Sequence, residues 1–305
     1  MKKIRVGVIG VGYLGKFHAE KYSRMKDVQL VGVVDIDKSR AEDVAAAFGT
    51  SALTDYRDLF GSVDAVSVVV PTEAHYSVGA AFLNHDVDVL IEKPMTTSLE
   101  QADELIKIAE SKHRILQVGH LERFNPAVIA LKDIVHNPMF IEAHRLSIFK
   151  DRSTDVSVVL DLMIHDIDII MNVVKSEIRS IHAAGVPVIC GQADIANVRL
   201  EFESGCVANV TASRISIKNQ RKIRLFQKDT YVSVDFAGRE ITIIKRDENH
   251  AGGLIPGMEI RQLSFSEADA LEDELASFIE AVRARKIPVV SGDAGRKALE
   301  VALTI

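Results

Sequence analysis

The first third of the chain alternates short apolar runs with helical stretches, and that alternation most limits the folds open to it. β-branched apolar runs occupy 4–9, 28–34, 65–70, 87–91 and 115–118, with helical patterns near 13–25, 38–48, 75–84 and 99–112 between them. The runs are apolar throughout rather than alternating, as burial on both faces of a parallel sheet requires. Strand–helix–strand repetition implies right-handed crossovers, so residues 1–120 are expected to form a doubly wound α/β domain.

After residue 118 the texture changes. Asn125-Pro126 reads as an N-cap with proline at the first helical position, opening a helix toward 136. A strand over 140–149, a polar stretch over 150–157 and a helix over 159–174 follow. From 178 to 265 strand succeeds strand, with turn signals at 203–205 and 237–238. Val198-Arg199-Leu200-Glu201-Phe202 alternates, the pattern of a sheet with one wetter face. A helix over 267–286 carries Leu271, Leu275, Phe278, Ile279 and Val282 on one stripe. Gly252-Gly253 and Pro256-Gly257 bracket an expected mobile loop. The second domain, 121–305, is thus expected to be α+β with a large, mostly antiparallel sheet.

Composition removes several classes of function. The 305 residues carry 37 Lys+Arg against 43 Asp+Glu, a net charge of -6, with no basic stripe for nucleic acid. Cys190 and Cys206 cannot build a disulfide framework and are expected to be small buried hydrophobes in strands. No segment approaches the roughly 20 apolar residues that span a bilayer, and no leader pattern opens the chain. A cytoplasmic location is the expectation.

Three motifs carry chemistry. Gly10-Val11-Gly12-Tyr13-Leu14-Gly15 follows one strand and opens a helix, so backbone N–H groups there can meet a pyrophosphate. The next strand ends at Asp35, placed to accept from both ribose hydroxyls and to repel a 2′-phosphate. The pair favours NAD over NADP, although Lys38 and Arg40 lie close in sequence. At the end of the fifth run stands Glu92-Lys93-Pro94, where ligands of open α/β sheets gather; the competing reading is a surface lysine paired with Glu92. Asp161 and His165 are one helical turn apart, so a carboxylate can steady an imidazole that handles a proton. Two alternatives stand: a helix-surface contact, or a metal site with Asp168. The second is set aside for want of a fourth ligand, so no metal is assigned. His18 and the other scattered histidines receive no role.

Together these pieces resemble the Gfo/Idh/MocA family of NAD(P)-dependent sugar oxidoreductases. The matching segments are Gly10–Gly15, Val70-Pro71-Thr72-Glu73-Ala74-His75, Glu92-Lys93-Pro94, Val118-Gly-His-Leu-Glu-Arg-Phe-Asn-Pro126 and Asp161-xxx-His165-Asp166, in the family's order. The resemblance implies a Rossmann domain, then a sheet domain that binds substrate and mediates assembly into a homodimer or homotetramer. It implies that Lys93 and His165 serve the substrate hydroxyl with Asp161 in support. Pro71 and His75 would line the cofactor pocket, and Glu92 would lie near the nicotinamide ribose. Val156-Ser-Val-Val-Leu160 departs from the glycines common in the family before that aspartate. With the Gly119–Pro126 segment it looks like the branch oxidising the 3-hydroxyl of UDP-N-acetylglucosamine-type nucleotide sugars. Arg123, Asn125 and Arg214 are then candidate substrate contacts, against an N-cap role for Asn125 and a surface charge for Arg123. A dehydrogenase of a free polyol, an inositol or another small carbonyl substrate is one alternative, an NAD-binding regulator without catalysis the other.

Overall fold

The computed structural model describes residues 2–149, 156–247, 256–266 and 268–305. Strands β1 (Ile4–Ile9), β2 (Val28–Val34), β3 (Ser51–Leu53), β4 (Ala65–Val68), β5 (Asp88–Glu92) and β6 (Leu116–Gly119) form one sheet. Their order is β3-β2-β1-β4-β5-β6, every pairing parallel. Helices α1 (Tyr13–Arg24), α2 (Lys38–Phe48), α3 (Thr72–Asn84) and α4 (Leu99–Ser111) fill the crossovers. Every residue of β4, β5 and β6 is buried, as the unbroken apolar runs require. The order reverses between β1 and β4, and in such sheets the crevice at that reversal, beyond the carboxyl ends of the strands, receives ligands.

The later part holds α5 (Pro126–Ile134), β7 (Phe140–Leu146), α6 (Ile164–Val174) and strands β8 (Ile178–Val186), β9 (Ile195–Phe202), β10 (Val207–Ser213) and β11 (Gln220–Gln227). Then come β12 (Thr230–Asp235), β13 (Glu240–Arg246), β14 (Met258–Ser264), α7 (Ala270–Ala284) and α8 (Gly292–Thr304). The eight strands lie in the order β14-β13-β12-β11-β7-β10-β9-β8; only β7 with β10 is parallel. In β9, Val198, Leu200 and Phe202 are buried while Arg199 and Glu201 are not, so the alternation reports the two faces correctly. Gly252-Gly253 and residues 150–155 of the polar stretch lie outside the described residues.

The chain divides into two compact units, Met1–Leu121 with Asp269–Leu299, and Glu122–Ala268 with Glu300–Ile305. Residues 269–299 group with the first unit, where the sequence reading kept 121–305 together. The reason is packing: Leu275, Phe278, Ile279 and Val282 of α7 enter the core formed by Val6, Val8, Tyr22 and Val33. Full burial of such side chains is worth roughly 1.5–3 kcal/mol each. Beyond the helix, Arg285 donates to both oxygens of the buried Asp88 carboxylate at 2.6 and 3.0 Å. The cysteines also differ from expectation. Both lie outside strands, Cys206 buried and Cys190 only partly so, and burial pushes the Cys206 thiol up to about 11.

Glu274 is the unusual member of α7. Its side chain is fully buried, and neither carboxyl oxygen has a hydrogen-bond partner among the described residues. Burial, reinforced by the charge of Glu92, holds its pKa well above the usual 4.5. The folded protein therefore keeps a proton that the unfolded chain releases, and stability declines as pH rises above 4.5. Glu274→Gln is expected to raise the thermal unfolding midpoint at pH 8 more than at pH 5, by about 2 °C or more. Differential scanning fluorimetry at the two pH values checks this; an equal change at both would contradict it.

Candidate active site

The turn after β1 has the shape of a phosphate cradle. Gly10 stands at φ +85°, and a Cβ there would come within 2.5 Å of the Val69 carbonyl oxygen. Gly15 packs so closely that a Cβ would fall 1.8 Å from the Gly10 carbonyl oxygen. Gly12 is different: nothing lies within 4 Å of its Cβ position. It begins α1 with no side-chain cap and no acidic residue in the first turn, leaving the positive end of the helix open to an anion. Tyr13 and Leu14 supply the following N–H groups, and the Tyr13 ring is exposed. Asp35, nearly buried beyond β2, accepts from the Val11 and Asp37 N–H groups, each at 3.0 Å. Arg40 donates to the same carboxylate at 3.1 Å, while Lys38 pairs with Glu42 instead.

The carboxyl end of β5 is built around Glu92. Its carboxylate lies 3.3 Å from Nε2 of His18, a fully buried residue of α1. It faces Gly119, where a Cβ would approach Glu92 Oε1 to 2.7 Å, so only glycine lets the carboxylate lie across β6. Lys93 follows, half-buried, joined to Pro94 by a cis peptide bond. His75 is buried, with Nδ1 2.9 Å from the Pro94 carbonyl and Nε2 2.9 Å from that of Val70. Burial lowers its pKa, outweighing those carbonyls and the charge of Glu92. The ring thus braces the β5 turn against the end of β4 from within. Pro71 is exposed at the start of α3.

In the second unit, Asp161 lies in a π-helical turn, Val159–Met163, that runs directly into α6, where His165 is the second residue. Both are half-buried. Single π turns of this kind recur at functional sites. The neighbouring acids are engaged: Arg145 forks onto Asp166 at 3.0 and 2.8 Å, and Arg123 forks onto Asp168 at 2.6 and 2.8 Å. Asp168 is therefore occupied by an arginine rather than offered to a metal.

Residues 4–120 match the family described as an oxidoreductase family with an NAD-binding Rossmann fold, and 134–232 match the Gfo/Idh/MocA C-terminal domain. UDP-N-acetylglucosamine 3-dehydrogenase of Acidithiobacillus ferrooxidans is 39% identical over 306 residues, spanning all of this chain and 97% of its own. The chain belongs to the Gfo/Idh/MocA oxidoreductase family. A solved structure of that A. ferrooxidans enzyme superposes with a TM-score of 0.93 at 38% identity, over 100% of this chain and 97% of the other. Myo-inositol 2-dehydrogenase of Thermotoga maritima is 28% identical over 97% of this chain and 93% of its own.

The family's NAD fits the residues present. Gly10 and Gly15 shape the turn, Gly12 leaves the room a pyrophosphate takes, and Asp35 is held in place by two backbone amides. The other candidate residues make these contacts within the chain. His75 is enclosed by the carbonyls of Pro94 and Val70. Glu92 lies against His18, its Oε1 3.3 Å from Nε2 of that ring. Asn125 caps α5 by accepting from the Ala127 N–H at 3.0 Å. Arg123 is a mostly buried ion-pair partner and no surface charge. Arg214, also buried, donates to the Val156 carbonyl at 2.6 Å. The sequence reading missed His18, Arg145 and Glu274. Each sits in a core-facing register: His18 with Gly15, Ala19 and Tyr22, Arg145 with Ile141 and Ala143, Glu274 beside Leu275 and Phe278. A polar residue at an apolar position of the repeat was the available signal.

The two glycines of the cradle should separate under substitution. Gly12→Ala is expected to leave the unfolding temperature unchanged while weakening NAD binding about tenfold or more, since its methyl meets only the ligand. Gly15→Ala should lower the unfolding temperature without any ligand present. Isothermal titration with NAD, paired with thermal melts, reads both; a Gly12→Ala protein that binds NAD normally would contradict the cradle assignment.

Proposed function

We propose that this chain is an NAD-dependent dehydrogenase that oxidises the 3-hydroxyl of a UDP-N-acetylglucosamine-type nucleotide sugar to a ketone. The observation that carries the reading is the full-length identity of 39% with an enzyme of that name. The carboxylate at Asp35, which disfavours a 2′-phosphate, supports NAD over NADP. Bound NAD supplies the two-electron oxidant that takes up the hydride from the alcohol carbon.

The chain's own residues handle the proton. By resemblance to the family, Lys93, at the carboxyl end of β5, or His165, at the start of α6, accepts the hydroxyl proton as the ketone forms. Asp161, four residues before His165, supports it. Glu92 and His75 hold the turn that carries Lys93. Arg214, through its grip on Val156, shapes the approach to Asp161. A homodimer or homotetramer in the cytoplasm belongs to the same proposal, supported by the resemblance alone.

The test is a panel of UDP-sugars and free polyols incubated with protein and NAD, with reduced cofactor followed at its own absorbance. UDP-N-acetylglucosamine is expected to give signal and myo-inositol none; the reverse would favour the activity named for the T. maritima relative. Lys93→Ala should lower kcat by about 10²–10⁴ with NAD binding retained. Near-full turnover in that variant would remove Lys93 from the proposed chemistry.

A further inference from the structure

We propose that Arg123 and Arg145 are positioning residues that lock the rotation of α6 and thereby fix the direction of the His165 imidazole. This deepens the functional reading above and rests on the role given there to His165. The geometry is the argument. Successive residues of an α-helix are about 100° apart, so Asp166 lies about 100° to one side of His165 and Asp168 about 60° to the other. Each flank is gripped by a separate fork. Arg145, from β7 and fully buried, places Nε and Nη2 on the two Asp166 oxygens at 3.0 and 2.8 Å. Arg123, from the turn before α5, places Nε and Nη2 on the two Asp168 oxygens at 2.6 and 2.8 Å. The helix cannot turn about its axis in either direction without opening one fork.

The forks are tied to one another and to the chain before the helix. Arg145 donates its remaining Nη1 to Glu122 at 2.9 Å, and Glu122 is the neighbour of Arg123. Arg214 fixes the Val156 carbonyl at 2.6 Å, just ahead of the π turn that carries Asp161. Burying charge in this way is a poor means of gaining stability, because desolvation offsets most of the attraction. A bidentate fork instead gives orientation, which an apolar contact would not. Glu122 and Arg123 act in this reading as a clamp, and Asn125 caps α5.

Arg123→Lys keeps the charge and removes the fork. It is expected to lower kcat about tenfold or more, because small misplacements of a catalytic group are costly, while KM for NAD and the unfolding temperature stay near wild type. In a His165→Ala background the same change should cost nothing further, since Arg123 would then have no imidazole to aim. A signal independent of turnover comes from protein labelled with ¹³C-histidine. The His165 ring resonance, identified by its loss in His165→Ala, should shift or split in Arg123→Lys. An unchanged ring resonance overturns the clamp whatever kcat does. A kcat or KM loss that persists in the His165→Ala background overturns it too, in favour of direct substrate contact. If His165→Ala alone kept full turnover, the functional reading would fall, and the ring resonance would still decide the clamp. Should Arg123→Lys not fold, Asp168→Asn opens the same fork from the helix side.

Discussion

Close contact between the Gly15 α-carbon and the Gly10 carbonyl is the constraint on which the first unit depends. Only without a side chain at 15 can α1 start so near β1, and only at positive φ can Gly10 turn beneath it. The helix then aims its unpaired N–H groups at the switch point of the sheet, while Asp35 is pinned by the Val11 N–H from the same turn. Anion site and ribose acceptor are therefore one mechanical piece. The middle of α1 delivers His18 to Glu92, the last residue of β5, which links the helix behind the cradle to the strand that leads into Lys93.

Both units place buried charge beside residues assigned to chemistry. In the first, Glu92 lies across Gly119 against His18, and burial raises the pKa of Glu274 well above the usual carboxylate range. In the second, Arg145 joins Glu122 to Asp166, and burial of Glu122 is outweighed by the charge and hydrogen bonds of Arg145, so its carboxyl stays below its usual range. Such arrangements are costly to desolvate and strongly directional. They suit segments whose side chains must point one way, the β5 turn and α6, better than they suit general stabilisation.

What could be read from sequence followed the range of the interactions. Unbroken apolar strands and a glycine turn are local, so the doubly wound sheet, Gly10–Gly15 and Asp35 were legible. The stripe on α7 was legible as a stripe, but nothing in it says which core it enters, and it enters the first one. Helix α8 was not assigned from the sequence; its Gly292 and Gly295 are small because Leu116 and Val118 press on them. The π turn uses the same residues as an α turn and leaves no pattern. Arg123 with Asp168, and His18 with Glu92, are far apart in sequence, and only the fold reveals that their charges are spoken for.

The most direct test of the chemistry is isotopic. UDP-N-acetylglucosamine carrying deuterium at C3, turned over with NAD, should leave that label on the reduced cofactor, read by mass spectrometry as one deuterium per molecule. Reduced cofactor without label would place the oxidation at another carbon, and no reduced cofactor at all would contradict dehydrogenation of this sugar.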